Sequence, residues 1–198
     1  MLLAAGEGSR FGRPKALVEL NGQTLAERGV GLLRAGGADP VVVVTGAVPL
    51  ELEGTLAVDN PRWRTGMGSS LQAALQALTE AARTEAGSEA EIGAVVVALA
   101  DQPLVGAEAV ARLIAAYRDG ATVAVATYGG QPRNPVLLAR EHWPEVIATA
   151  TGDQGARTFL RTRPELVTRV ECGDTGRPDD IDTPADLARI TAEAAERG

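Results

Sequence analysis

The chain has 198 residues, of which 45% are apolar and only 3% are aromatic, and its formal net charge is −7. This length suits one domain, residues 1–198, with a core built mostly from Ala, Val and Leu. The negative charge argues against general nucleic-acid binding, which needs a basic face. The single cysteine, Cys172, excludes an internal disulfide, and we see neither a signal peptide nor an apolar run of membrane-spanning length. We therefore expect a cytoplasmic protein that does not associate with membranes.

Apolar runs alternate with helical patterns along the chain. Three apolar runs, at residues 41–44, 94–99 and 122–126, lack the apolar–polar alternation of half-exposed strands. This indicates strands that are buried on both faces. Helices are predicted at 25–35 with Thr24 as cap, from 71 to about 83 with Ser69 or Ser70 as cap, and at 107–118. After an exposed loop at 84–91 and a break at 129–130, we predict strands at 134–139 and 166–171 and helices at 141–149, 154–161 and 184–196, the last capped by Thr183. The alternation predicts a three-layer α/β/α Rossmann-like fold with a mostly parallel sheet.

Residues 2–15, LLAAGEGSRFGRPK, join a short apolar run to a loop rich in glycine and positive charge. Glycines let backbone N–H groups turn towards a ligand, and successive N–H groups form an anion-binding concavity. Arg10 and Lys15 add full positive charge, whereas Pro14 before the lysine excludes a Walker A loop. The stretch therefore predicts a phosphate cradle rather than a plain surface turn. Its candidate nucleotide-binding residues are Leu3, Ala4, Ala5, Gly6, Gly8, Ser9 and Lys15.

Asp101 follows the longest apolar run among the predicted strands. Ligands of open α/β sheets bind at the carboxyl ends of the strands, so this carboxylate is expected to face the cleft. A hard oxygen ligand in that place suits Mg2+, which takes one or two carboxylates together with substrate phosphates. Position alone is equally compatible with a helix cap or a turn aspartate.

Several segments together resemble the molybdenum cofactor nucleotidyltransferase family, most closely its cytidylyltransferase branch. Residues 2–15 meet every fixed position of the family pattern L-A-A/G-G-x-G/S-x-R-M/F-G-x-P-K. LADQP at 99–103 and DTPADL at 182–187 are similar to its L-G/A-D-x-P metal motif and its D-T-P-E-D-L motif. NPRWRTGMGSSL at 60–71 resembles N-P-x-W-x-x-G-M-x-S-S-L, and QPRNPVLL at 131–138 and GDQGAR at 152–157 resemble segments of the acceptor-binding half.

The resemblance implies transfer of CMP from CTP to the terminal phosphate of the molybdenum-loaded pterin, with release of pyrophosphate. It implies catalytic roles for Arg10, Lys15 and Asp101, and Mg2+ held by Asp101 and Asp182. It adds Gly66, Ser70 and Asp101 to the nucleotide-binding set, with Ser70 on the pyrimidine. It assigns the acceptor to Arg133, Asn134, Gly155 and Arg157, and suggests a molybdoenzyme or its chaperone as protein partner. Leu-Ala-Ala-Gly, where the guanylyl branch usually has Leu-Ala-Gly-Gly, favours CTP over GTP.

Other functions stay open at this point. The acceptor could be another phosphorylated compound, or the nucleotide could be GTP. Some proteins similar to this family are described as nicotinamide-dependent reductases of quinone-like pigments. Against this function, the second predicted strand, at 41–44, ends in Thr45 and not in the acid that would hold a ribose. A nucleotide sensor without catalysis is a third reading. His142 lies outside every motif and is predicted to be at the surface, whereas Cys172 is predicted to be structural.

Overall fold

The computed structural model describes residues 1–84 and 92–195. The elements in chain order are β1 (Leu2–Leu3), β2 (Glu19–Leu20), β3 (Gln23–Thr24), α1 (Leu25–Ala35), β4 (Val42–Thr45), β5 (Leu56–Asp59), α2 (Met67–Thr84), β6 (Ala94–Leu99), α3 (Ala107–Arg118), β7 (Val123–Tyr128), β8 (Gln131–Ala139), α4 (Trp143–Thr149), α5 (Arg157–Thr162), β9 (Val167–Glu171) and α6 (Pro184–Ala195). The predicted loop at 84–91, apart from Thr84 at the end of α2, lies outside the described residues. None of the described helices is both long and apolar enough to cross a bilayer.

Seven of the strands form one sheet in the order β5-β4-β1-β6-β8-β7-β9, and β2 and β3 form a separate hairpin. β8 is antiparallel to both of its neighbours, β6 and β7. Every other neighbouring pair in this sheet is parallel. The mostly parallel sheet predicted from the apolar runs is therefore confirmed, with β8 as its one reversed strand.

The sheet is buried on both faces by helices. Val95 and Val97 of β6 face a core that includes Leu75 of α2, Trp143 of α4 and Phe159 of α5. The alternate residues, Val96 and Ala98, face the opposite core with side chains of α1 and α3. Because successive strand residues point to opposite faces, two apolar cores require a continuous apolar run. This arrangement confirms the three-layer α/β/α architecture.

Helix α2 differs from the prediction at its start. It begins at Met67, four residues before the predicted position, so Ser69 and Ser70 lie inside the helix and do not cap it. Gly66, at φ 107°, ends the 3-10 turn Trp63–Thr65, and its carbonyl already accepts the Ser69 N–H at 3.1 Å. The Ser69 hydroxyl donates back to the same carbonyl at 2.9 Å. Glycine, rather than serine, therefore sets the helix start here.

Other boundaries moved by a few residues. α1, α3 and β6 have the predicted bounds, whereas α4 and α5 begin two and three residues later than predicted, each after a 3-10 turn, Arg140–His142 and Gly152–Gln154. The surface prediction for His142 is wrong. Its side chain is only 15% exposed, Nε2 lies 2.9 Å from Thr122 Oγ1, and its ring is tilted against Phe159. Cys172 is fully buried in a small apolar cluster, in agreement with a structural role.

Candidate active site

A cleft of about 700 Å³ opens at the carboxyl edge of β1 and β6. Its walls are the loop after β1, the segment that leads into α2, the end of β6, and single residues from later in the chain. All candidate nucleotide-binding residues line it, namely Leu3, Ala4, Ala5, Gly6, Gly8, Ser9, Lys15, Gly66, Ser70 and Asp101. Arg10 and Asp182 line it as well. The structure thus brings these predicted residues into one cavity.

The glycine loop closes on itself through Gly8. The Gly8 carbonyl accepts the N–H groups of Phe11 and Gly12 at 2.8 and 2.9 Å. Gly8 has φ 64°, and a Cβ at this position would lie 2.1 Å from the Arg13 carbonyl oxygen. Gly6, in contrast, has no heavy atom within 4 Å of its Cβ position. Gly8 is therefore required for the shape of the loop, and Gly6 leaves open space for a ligand.

Lys15 joins the two predicted metal ligands directly. Its Nζ lies 2.8 Å from Asp101 Oδ2 and 2.5 Å from Asp182 Oδ1. Arg10 Nη1 lies 3.2 Å from Asp182 Oδ2. Burial on its own would lower the pKa of Lys15, but Asp101 and Asp182 together raise it above its ordinary value. The prediction placed Lys15 on a triphosphate and did not anticipate that its ammonium would bridge the acids.

The start of α6 fixes Asp182 in this position. Asp186 Oδ2 accepts the Thr183 N–H and the Thr183 hydroxyl, both at 2.8 Å, as in a capping box. The Ile181 N–H donates to the Asp101 carbonyl oxygen at 2.8 Å, which ties the segment before α6 to the end of β6. Thr183 therefore caps α6, as predicted. Asp186 stabilises the start of this helix and does not line the cleft.

The acids of the cleft suit a divalent cation. Among the described residues, no group of three His, Cys, Asp or Glu side chains has the arrangement of a complete metal site. Mg2+ does not need one, because it takes one or two carboxylates and fills its shell with water and substrate phosphates. Desolvation, together with the charges of Asp101 and Asp182, raises the pKa of nearby Asp180. Asp101 and Asp182 line the cleft, and Asp180 adds a third carboxylate close to them, so an added positive charge would be stabilised.

The wall across the glycine loop from these acids contains residues that the prediction missed. Arg64 and Trp63 line the cleft, and the Arg64 guanidinium carbon lies 4.2 Å from the Trp63 ring centroid. Arg64 has no ion-pair partner among the described residues. Ser70 Oγ accepts the Asn60 side-chain amide at 3.0 Å. Trp63 stood at a fixed position of the resemblance, whereas Arg64 stands at a variable one, so no motif signal marked it.

The four candidate acceptor-binding residues do not line the cleft. Arg133 and Arg157 are exposed, and Arg133 Nη1 donates to its neighbour's carbonyl, Pro132 O, at 3.0 Å. Asn134 lies on β8, which starts at the edge where β6 ends because the two strands are antiparallel. Gly155 is buried, with Met67 Sδ 3.1 Å from its Cβ position. Asp153, two residues before Gly155, lines the cleft instead and was not predicted.

Comparison with known proteins identifies the family. Residues 1–168 match the model of the MobA-like NTP transferase domain. The chain belongs to this family. It is accordingly a nucleotidyltransferase, as the resemblance implied.

Individual relatives carry different names. The chain is 36% identical over 204 residues to nicotine blue oxidoreductase of Paenarthrobacter nicotinovorans, with 96% of this chain and 94% of that protein covered. It is 56% identical over 43 residues to a probable molybdenum cofactor guanylyltransferase of Opitutus terrae, a match to 22% of this chain and 21% of that protein. Among solved structures, the homologue of Mycobacterium tuberculosis Rv0371c from Mycobacterium sp. strain JC1 is 30% identical, with a TM-score of 0.80 over 100% of this chain and 96% of that one.

Proposed function

We propose that this protein transfers CMP from CTP to a phosphorylated acceptor of the molybdopterin type, with Mg2+ as cofactor and pyrophosphate as leaving group. The observation that carries the proposal is the Lys15 ammonium between Asp101 and Asp182, beside an open glycine loop. Lys15 is the only lysine among the 19 lysine and arginine residues of the chain. A compact ammonium beside two carboxylates provides both the cation and the metal ligands that a triphosphate needs.

The chemistry requires positioning and charge neutralisation rather than proton transfer. A phosphate oxygen is already ionised at neutral pH, so the acceptor needs no general base, and no His or Cys is among the residues that line the cleft. Asp101 and Asp182 would hold Mg2+, whose charge offsets that of the reacting phosphates. Lys15 would then turn from the carboxylates to the phosphates. Arg10, whose side chain is 73% exposed, would neutralise the departing pyrophosphate.

The base and sugar of the nucleotide would occupy the wall formed by Arg64, Gly66 and Ser70. The phosphate-binding groups follow β1 and β6, whereas these residues follow the edge strand β5. The N-terminal end of the 18-residue helix α2 lies at the same wall and adds partial positive charge. Ser70 and Arg64 offer a hydroxyl and N–H donors to the base edge. The name of the Opitutus terrae relative supports a molybdenum cofactor acceptor, although with a guanylyl donor.

A nicotinamide-dependent reductase is the second candidate function. It is favoured by the full-length similarity to a protein named nicotine blue oxidoreductase. Asp59 is the acid beside the end of β4, with Thr45 Oγ1 3.4 Å from its Oδ1, but it does not line the cleft. Among the described residues, the cleft therefore has no acid at that place to hold a dinucleotide ribose. The acid–lysine cluster would also have no evident task in hydride transfer.

A comparison of melting temperatures separates the two functions. A ligand at a hundred times its dissociation constant stabilises the folded state by roughly 2.7 kcal/mol. For a chain of this size, that raises the melting temperature by roughly 5–11 °C. We expect such a rise with CTP plus Mg2+, a smaller one with GTP plus Mg2+, and little with NADPH. Transfer itself is measured as pyrophosphate release from CTP in the presence of purified molybdopterin.

Each result has a distinct meaning. A larger rise with GTP would assign the enzyme to guanylyl transfer. A rise with NADPH alone that EDTA does not reduce would overturn the transferase proposal in favour of the reductase. If CTP binds but no pyrophosphate is released when molybdopterin is added, the result would support CTP as the nucleotide and refute molybdopterin as the acceptor.

A further inference from the structure

Asp101 and Asp182 come from distant parts of the chain, and a set of hydrogen bonds joins the segments that carry them. Residues 101–104 follow β6, and residues 177–182 precede α6. Backbone hydrogen bonds join them at both ends: Arg177 N–H to Leu104 O at 2.9 Å, and Ile181 N–H to Asp101 O at 2.8 Å. The separation of Asp101 and Asp182 therefore depends on how the two segments are held against each other.

Gln102 makes the side-chain contacts between these two backbone bonds. Its Nε2 donates to Asp180 Oδ1 at 2.8 Å and to Pro178 O at 3.4 Å. The residue is only 6% exposed, and its Oε1 is buried without a partner among the described residues. A flipped amide would bring Oε1 against the Asp180 carboxylate, so only one orientation is favourable. The amide is thus a buried, directional link from one acid-bearing segment to the other.

We propose that Gln102 is a positioning residue that sets the spacing of Asp101 and Asp182 for a divalent cation. This inference rests on the proposed metal role of those two acids. Gln102 does not line the cleft, so it acts through Asp180 and the segment that ends at Asp182. A hydrogen bond to a charged group is stronger than one between neutral groups, and a buried donor left unpaired is costly. Loss of the amide would release residues 178–180 and loosen the pair of acids.

Gln102→Met tests the inference, because it keeps the length of the side chain and removes the amide. The matched control is Gln72→Met, since Gln72 Nε2 likewise donates to two acceptors, but these are backbone carbonyls outside the acid-bearing segments, Ile147 O at 2.9 Å and Ala150 O at 3.0 Å. Binding of Mn2+ is measured by electron paramagnetic resonance in the presence of a non-hydrolysable CTP analogue. We expect Gln102→Met to weaken Mn2+ binding about tenfold, from the loss of one hydrogen bond to a charged acceptor. Gln72→Met should change Mn2+ binding less than about twofold, although it should lower the melting temperature about as much as Gln102→Met does.

Asp180→Ala tests the same link from its exposed side, where the fold tolerates truncation better. In a double-mutant cycle, residues that act through one shared hydrogen bond show effects that do not add. We expect the double variant to bind Mn2+ about as weakly as Asp180→Ala alone. Additive effects, or parent-like Mn2+ binding by folded Gln102→Met, would overturn the inference while leaving the proposed function in place. Failure of the parent itself to bind Mn2+ would contradict the metal site and the inference together.

Discussion

Two charged clusters lie at the carboxyl edge of the same sheet, and they are built differently. At the end of β9, the Glu171 carboxylate accepts the Thr127 hydroxyl at 2.7 Å and three backbone N–H groups, those of Gly129, Gly130 and Gly173, at 3.0–3.2 Å. At the end of β6, one flexible ammonium, Lys15, serves two carboxylates. The first cluster is held mostly by backbone donors, and the second only by side chains.

The difference separates a structural cluster from an exchangeable one. The four donors hold the pKa of Glu171 below its ordinary value, the Thr127 hydroxyl first among them. The backbone donors cannot leave unless the turn between β7 and β8, which carries Gly129 and Gly130, or the segment after β9, which carries Gly173, unfolds. In the cleft, the Lys15, Asp101 and Asp182 side chains are 19%, 26% and 32% exposed, so water or a ligand can replace each contact. Charged side chains that a ligand can reach are available to bind phosphates and a metal ion.

The largest expected effect comes from a test of this difference in which one acid is removed from each region. Asp101→Ala, and similarly Asp182→Ala, should lower the rate of pyrophosphate release by about 100-fold or more, since a charge-stabilising group is lost from the reacting centre. The matched control is Asp174→Ala, which removes an exposed aspartate that pairs with Arg112 near Glu171. The control should keep nearly the parental rate. Parental Mg2+-dependent turnover in folded Asp101→Ala would refute the metal assignment.

Replacement of Lys15 gives the next largest effect. Lys15→Ala should weaken CTP binding by roughly tenfold, the order expected for one charge-assisted contact to phosphate. Lys15→Arg should restore only part of the affinity, because a planar guanidinium does not replace a compact ammonium between two carboxylates. Isothermal titration calorimetry measures both, with Arg112→Ala as the control for loss of a cation outside the cleft. Equal CTP affinities for the parent and Lys15→Ala would show that the phosphate cradle has been placed wrongly.

The layers of the fold could be predicted because burial on both faces leaves a direct trace in the sequence. Ala94–Leu99 is wholly apolar for that reason, and Thr24 was predicted as the cap of α1, where the structure shows it in a capping box with Glu27. β5 was missed because three of its four residues are exposed and it forms the edge of the sheet, where nothing requires an apolar run. The start of α2 was misplaced because it depends on the backbone of Gly66, which a serine-capping pattern does not reveal.

The candidate site was predictable where a glycine or an acid follows a buried strand. The charge network of the site was not predictable from the sequence, because Lys15 is separated by 86 positions from Asp101 and by 167 positions from Asp182. Arg64 reaches the cleft from a variable position of its motif, so only the packed structure shows it. Asp153 stands in the GDQGAR segment of the resemblance, but the prediction did not assign it to the site. Arg133 and Arg157 show the converse, since a motif placed them in the site and the fold leaves them exposed outside the cleft walls.

The smallest expected effect concerns the structural cluster and its response to acid. A carboxyl whose pKa is lower in the folded state contributes stability above its unfolded pKa, and this contribution is lost as the pH falls through the folded value. For Glu171, the ordinary value is 4.5 and the folded value lies below it. Glu171→Gln should therefore lower the melting temperature by a few degrees at pH 7, because an amide offers one oxygen to the four donors. Since the variant cannot be protonated there, the difference between parent and variant should shrink as the pH falls from about 5 to 3. Exposed Glu19→Gln on the hairpin is the control, and thermal unfolding monitored by circular dichroism is the measurement. A difference that stays constant from pH 7 to pH 3, or a loss of CTP affinity in Glu171→Gln, would remove the distinction between the two clusters.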